Sequence, residues 1–269
     1  GTMNDKTSNP ISKTAVFLNI ASPKDIDLAI NAWEGLSQDK ILPLNKKDII
    51  MQGKLKIFNT STKINKLLDL KPDLLYEGRF SREGIVELIE KLLDVEKILN
   101  SSIPCYCTCC DLTKKDKRYF RIQDYNAETM KNILLASSAI PGIYDAVDIN
   151  GNLYLDGGLK DNVPIWPVYN EGCDIIIVVR LGPEDVIDYR KFPGAQIIDI
   201  ALQQSEVGIL KDGTLDFSKN FTREKIKDGY IATMNLINPI FTLKQNIVEI
   251  QNQQKNTDII KKLKGLFKK

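Results

Sequence analysis

The tripeptide Asp156-Gly157-Gly158 sets a carboxylate at the end of the apolar stretch Leu153-Tyr154-Leu155 and follows it with two residues that lack a side chain. A carboxylate with open space beside it suits a general base, which must come within hydrogen-bond reach of the proton it removes. The same tripeptide serves as a turn when the aspartate caps backbone N–H groups. A second constraint is the absence of histidine from all 269 residues. That removes Ser-His-Asp and Cys-His nucleophile pairs and two-His zinc sites. Hydrolysis by this chain must draw its base from a carboxylate, a lysine or a metal-bound water. Lys160 reads as a solvated loop lysine rather than a base.

Four of the five cysteines crowd together as Cys105, Cys107, Cys109 and Cys110, and Cys173 stands apart. The cluster lacks the two-residue gaps of zinc knuckles. Its alternation along Ile103 to Cys109 instead predicts a strand burying small side chains on one face. No metal and no cofactor are expected. Free thiols suit a reducing, cytoplasmic setting.

The candidate base needs elements to hold it. Asn150-Gly151, between Val147-Asp148-Ile149 and Leu153-Tyr154-Leu155, is a strong hairpin signal and delivers Asp156 at a strand end. Tyr119 to Ile122 should pair with the cysteine strand after the turn at Lys114 to Lys117. Asn126 caps a helix running to Ser138, with Met130, Ile133 and Leu134 on one face. Ser137 and Ser138 are read as packing residues of that helix's end rather than nucleophiles. Upstream, Ser22 and Pro23 open a helix with Ile26, Ala29, Ile30 and Trp33 on its apolar face. Ala15 to Ala21 is an apolar run of undecided type, and Ile41 to Arg79 reads as a surface excursion or lid. Ser81 opens a helix through Leu93. Ile175 to Val179 should be a parallel strand buried on both faces, and Gln196 to Ile200 another strand. Helices are expected around Glu224 to Ile237 and from Leu243 to Phe267.

Composition sets few limits. Apolar residues make up 43% and charged residues 27%, and the formal net charge is +2, which gives no electrostatic case for nucleic acid as partner. No run approaches the roughly 20 apolar residues of a membrane span, and no secretory signal is visible. Gly1-Thr2-Met3 reads as an expression remnant. A single domain over residues 4–269, closed by a C-terminal helix over 240–269, is the simplest organisation, and strands alternating with helices favour an α/β fold.

The order Ala136-Ser137-Ser138-Ala139-Ile140-Pro141, hairpin, Asp156-Gly157-Gly158, Asp161-Asn162-Val163-Pro164 and the strand Cys173 to Val179 resembles that of patatin-like phospholipases. Ala29 to Trp33, Ser37 to Lys40, Leu215 to Ser218 and Asp228 to Tyr230 are similar to further segments of that family, so the likeness covers roughly residues 24–232. The resemblance implies a three-layer α/β/α fold with a mostly parallel central sheet. It also implies a lipid acyl hydrolase, of phospholipase A or lysophospholipase type, using a Ser-Asp dyad. Asp156 would then be the base, with Gly157 and Gly158 lining the substrate site, and the partner would be a phospholipid or lysophospholipid. That family's nucleophile stands on a Gly-x-Ser-x-Gly elbow after a glycine-rich loop, and neither motif occurs in this sequence. One register puts Ser12 at the nucleophile position, within Pro10-Ile11-Ser12-Lys13-Thr14, and another reads Lys13 to Leu18 as the first strand with no elbow. Three readings stand: an acyl hydrolase, a catalytically dead lipid-binding or regulatory relative, and a chain lacking the family's usual N-terminal portion.

The C-terminus carries Ile259, Ile260, Leu263, Leu266 and Phe267 at helical spacing among Lys261, Lys262, Lys264, Lys268 and Lys269. This pattern suits peripheral contact with an anionic membrane. It suits equally a final helix docked by its apolar stripe with its lysines in water.

Overall fold

The computed structural model describes residues 23–41, 78, 80–180, 185–201 and 216–266. Ser12, the run Ala15 to Ala21, the Ser22 cap and most of the stretch between Ile41 and Arg79 lie outside these residues. From residue 256 onward only the backbone of the last helix is described.

Among the described residues six strands form two sheets. The larger has the order β2-β1-β4-β3, from β1 (Tyr106–Asp111), β2 (Asp116–Arg121), β3 (Val147–Ile149) and β4 (Asn152–Asp156), and every pairing in it is antiparallel. The smaller pairs β5 (Ile175–Arg180) with β6 (Gln196–Ala201) in parallel. The mostly parallel central sheet expected above is therefore overturned. The reason is local. Two tight hairpins join neighbouring strands of the larger sheet, and a short turn can only return the chain antiparallel. Parallel pairing needs a longer connection, such as the one between β5 and β6.

Both hairpins follow from their turn residues. Asn150 and Gly151 take φ of 55° and 82°, the left-handed pair a two-residue turn requires, and Asp148 Oδ1 accepts from Gly151 N at 3.0 Å. At the other turn Asp111 Oδ1 accepts from Thr113 N and Lys114 N at 2.9 and 3.0 Å. Asp111 is itself buried, so its carboxylate is satisfied by the turn it makes.

Helix α5 (Ala127–Ser137) lies across the larger sheet, after α1 (Pro23–Glu34), α2 (Gln38–Ile41), α3 (Glu83–Leu92) and α4 (Val95–Leu99). Asn126 caps it as expected, Oδ1 accepting from Thr129 N at 2.9 Å. Met130, Ile133 and Ala136 recur at helical spacing and are wholly buried against Cys107, Cys109, Phe120 and Tyr154. On the opposite face Cys110, Leu155, Leu159 and Ala139 pack together. The cysteine strand is thus buried on both faces, not one, because the sheet has apolar cover on each side. For α3, the first helical residue is Glu83 rather than Ser81, and Ser81 Oγ accepts from Glu83 N at 3.2 Å.

Helix α6 (Trp166–Asn170) leads into β5. Ile176 and Val178 bury against Ile165, Cys173, Ile187 and Phe192, whereas Ile175, Ile177 and Val179 face outward. Burial on both faces is therefore corrected to burial on one. The Arg180 guanidinium clamps the pair of strands, donating to both carboxylate oxygens of Asp199 at 2.8 and 2.7 Å and holding that carboxyl below its ordinary pKa. The last helix, α7 (Lys219–Leu266), runs 48 residues without a break and contains Pro239, where two helices were expected. It packs against α1 and β6, and Arg223 forks onto Glu34 of α1 at 3.0 Å on each arm.

Candidate active site

Asp156 ends β4, directly opposite Cys109 of β1. Paired residues of a sheet share a face, so its side chain lies on the face that α5 covers, beside the end of that helix. Its backbone N donates to Ala139 O at 3.0 Å. Ala136 and Ala139 are fully buried, and their small side chains let the helix end come this close to the strand. The Ala-Ser-x-Ala motif and the Asp-Gly-Gly motif are thus tied to each other by one backbone hydrogen bond.

The carboxylate itself has two unlike oxygens. Oδ1 accepts from Gly158 N at 2.7 Å and caps the single 3₁₀ turn Gly157–Leu159. That is the turn-capping role, and it occupies one oxygen only. Among the described residues the other oxygen has no hydrogen-bond partner. The residue keeps some exposure, but its carboxyl is largely enclosed, and burial pushes its pKa up to about 6 while the Gly158 N–H pulls the other way.

The two glycines do different things. A Cβ on Gly157 would fall 2.3 Å from Thr108 O and 2.6 Å from Thr108 C, so this glycine lets the turn press against β1. A Cβ on Gly158 would stand 3.0 Å from Asp156 Oδ1 and 2.8 Å from Asn162 Oδ1. Gly158 therefore keeps space open beside the carboxylate. Beyond it Asn162 Nδ2 donates to Asp185 Oδ2 at 2.6 Å, and Asp161 accepts from the Tyr119 hydroxyl and lies 3.6 Å from Lys117 Nζ. Each residue of the Asp161-Asn162 pair has its own anchor.

No serine hydroxyl among the described residues bonds to Asp156. Ser137 Oγ donates to Thr108 O at 2.8 Å, and Ser138 Oγ donates back into its own helix, to Leu134 O and Leu135 O. Both hydroxyls do the packing work expected of them. The cysteines near the base are not nucleophiles in this setting: burial pushes the Cys107 thiol up to about 11 and raises Cys109 further. Cys107 and Cys109 share one face of β1 while Cys110 occupies the other, so the thiols diverge. Thr108 was passed over in the sequence. It is buried, its carbonyl takes the Ser137 hydroxyl, and its own Oγ1 has no partner among the described residues. Only the β1–β4 register brings it to Gly157, and no local pattern signals that.

The model of the patatin-like phospholipase family matches residues 14–169. This chain belongs to that family, a family of lipid hydrolases. Among curated relatives, an uncharacterized NTE family protein of Mycobacterium tuberculosis is 28% identical over 122 residues, which is 45% of this chain and 32% of the relative. Lysophospholipase NTE1 of Cryptococcus neoformans is 40% identical over 57 residues, 21% of this chain and 4% of that protein. The uncharacterized protein YjjU of Escherichia coli is 38% identical over 56 residues, 20% of this chain and 16% of the relative. The chain thus spans about a third or less of the length of the curated relatives it matches.

Proposed function

We propose that Asp156 is the general base of a carboxylic ester hydrolase acting on phospholipids or lysophospholipids. A serine hydroxyl attacks the ester carbonyl while the unpartnered Asp156 oxygen takes its proton. The tetrahedral adduct collapses, the lysolipid or glycerol alcohol leaves with that proton, and an acyl-serine remains. Water then attacks the acyl-serine with the same carboxylate as base, releasing the fatty acid. The sequence offers Ser12 as the hydroxyl, and Ser12 lies outside the described residues. Gly157 and Gly158 would border the bound ester, Gly158 by leaving room at the carboxylate.

The observation that carries this reading is the asymmetry of Asp156. One oxygen is fixed by a backbone N–H, the other is uncommitted among the described residues, and enclosure has lifted the acid toward neutrality. A carboxylate that merely capped a turn in water would keep its ordinary acidity. Asp156→Ala should abolish turnover of a short-chain p-nitrophenyl ester while the circular dichroism spectrum is kept; full turnover by a folded Asp156→Ala protein sinks the assignment. In the parent, kcat/KM should climb with pH through about 6 and then level, as the base ionises.

One observation favours a second reading. The 269 residues contain no Gly-x-Ser-x-Gly, and losing oxyanion donors costs on the order of 10²–10³ in rate for each. A lipid-binding module without turnover fits that loss. It predicts that lipid binds equally to the parent and to Asp156→Ala, with no fatty acid released by either.

A further inference from the structure

We propose that the middle of α7 is an anionic-membrane docking surface, built from an apolar arc over Leu236 to Ile250. Ile240, Phe241, Leu243, Ile247, Val248 and Ile250 are each about half exposed or more. At 100° per residue, with Leu236 and Ile237, they fall within an arc of roughly 180° on one side of the helix. The other side carries Asn235, Asn238, Thr242, Gln245, Asn246, Glu249 and Gln253, while Lys244 falls within the arc itself, where a lysine's long stem lets its charge reach anionic headgroups. The segment from 229 to 243 has no charged residue at all.

Two features choose lipid over a second copy of the chain. A two-stranded coiled-coil seam is narrow, so pairing two such helices would leave much of this broad arc in water. The charge that follows is lopsided as well: residues 244–269 hold seven lysines against Glu249 and Asp258. Parallel pairing would bring those lysine-rich ends together, whereas an anionic lipid surface would neutralise them. No helix among the described residues is long and apolar enough to cross a membrane. The segment therefore lies in the interface plane, apolar side down.

The docking reading stands apart from catalysis, and its test excludes hydrolysis. The full chain is floated with vesicles of ether-linked phosphatidylcholine and phosphatidylglycerol, three parts to one, which hold no carboxylic ester to cleave. The parent should bind, and more weakly to phosphatidylcholine alone. Leu243→Glu with Ile247→Glu should weaken binding about tenfold or more, while the equally acidic pair Asn246→Glu with Gln253→Glu changes it about twofold or less. These side chains are exposed, so both variants should keep the parent's circular dichroism. Equal loss in the two variants would reduce the effect to net charge and overturn the proposal. So would a parent that ignores anionic vesicles, or one that sediments as a dimer dissolved by the Leu243 and Ile247 changes.

Discussion

At the scale of single residues, enclosing a carboxyl that ionises near pH 6 sets stability against function. The folded pKa of Asp156 lies above that of an unfolded aspartate, near 3.9, so between these values the folded chain holds the extra proton. Its contribution to stability is present below about pH 4 and lost as pH rises through about 6. Asp156→Asn cannot ionise, and its amide oxygen can still accept from Gly158. The variant should therefore be more stable than the parent at about pH 8, by roughly 2–3 kcal/mol at most, and the two should converge near pH 4. Denaturant melts at the two pH values check this, and a parent at least as stable at pH 8 would rule out the raised pKa. The glycines separate in the same way. Gly158→Ala should lower kcat/KM about 10- to 100-fold with little change in melting, since its Cβ meets two side-chain oxygens. Gly157→Ala drives a Cβ into the backbone of β1 and should cost about 1–3 kcal/mol or more in stability.

At the scale of elements, the sequence was most readable where structure is decided within a few residues. The Asn150-Gly151 hairpin, the Asn126 cap and the strand end that carries Asp156 all rest on local turn and capping chemistry, and all three stand as read. Strand direction was misjudged because it was taken from a resemblance, although the hairpin signals already pointed to antiparallel neighbours. The outward face of β5 was not legible, since Ile175 and Ile176 are identical in sequence and differ only in what packs on them. Thr108 escaped for a related reason: its place beside Gly157 arises from register between strands far apart in the chain. The continuity of α7 through Pro239 also ran against expectation, because proline removes one helical hydrogen bond and crowds the preceding turn. Pro239→Ala should restore that bond to the Asn235 carbonyl. Amide exchange over residues 235–242 should slow by about a hundredfold, the equivalent of about 3 kcal/mol of helix propensity. Unchanged exchange there would mean that the helix already tolerates the ring.

At the scale of the whole molecule, the five thiols give the fold a built-in chronometer. None is joined in a disulfide, Cys105 is half-buried, and Cys107, Cys109, Cys110 and Cys173 are shut away. A maleimide should reach Cys105 first, and the rest only when their surroundings come apart. Cys107, Cys109 and Cys110 time the opening of the antiparallel sheet, while Cys173, packed with Ile176 and Phe192, times that of the parallel pair. Mass spectrometry of peptides from a labelling course would show whether the two sheets let go together or in turn. The untouched wild-type chain would report its own order of disassembly, with no probe introduced.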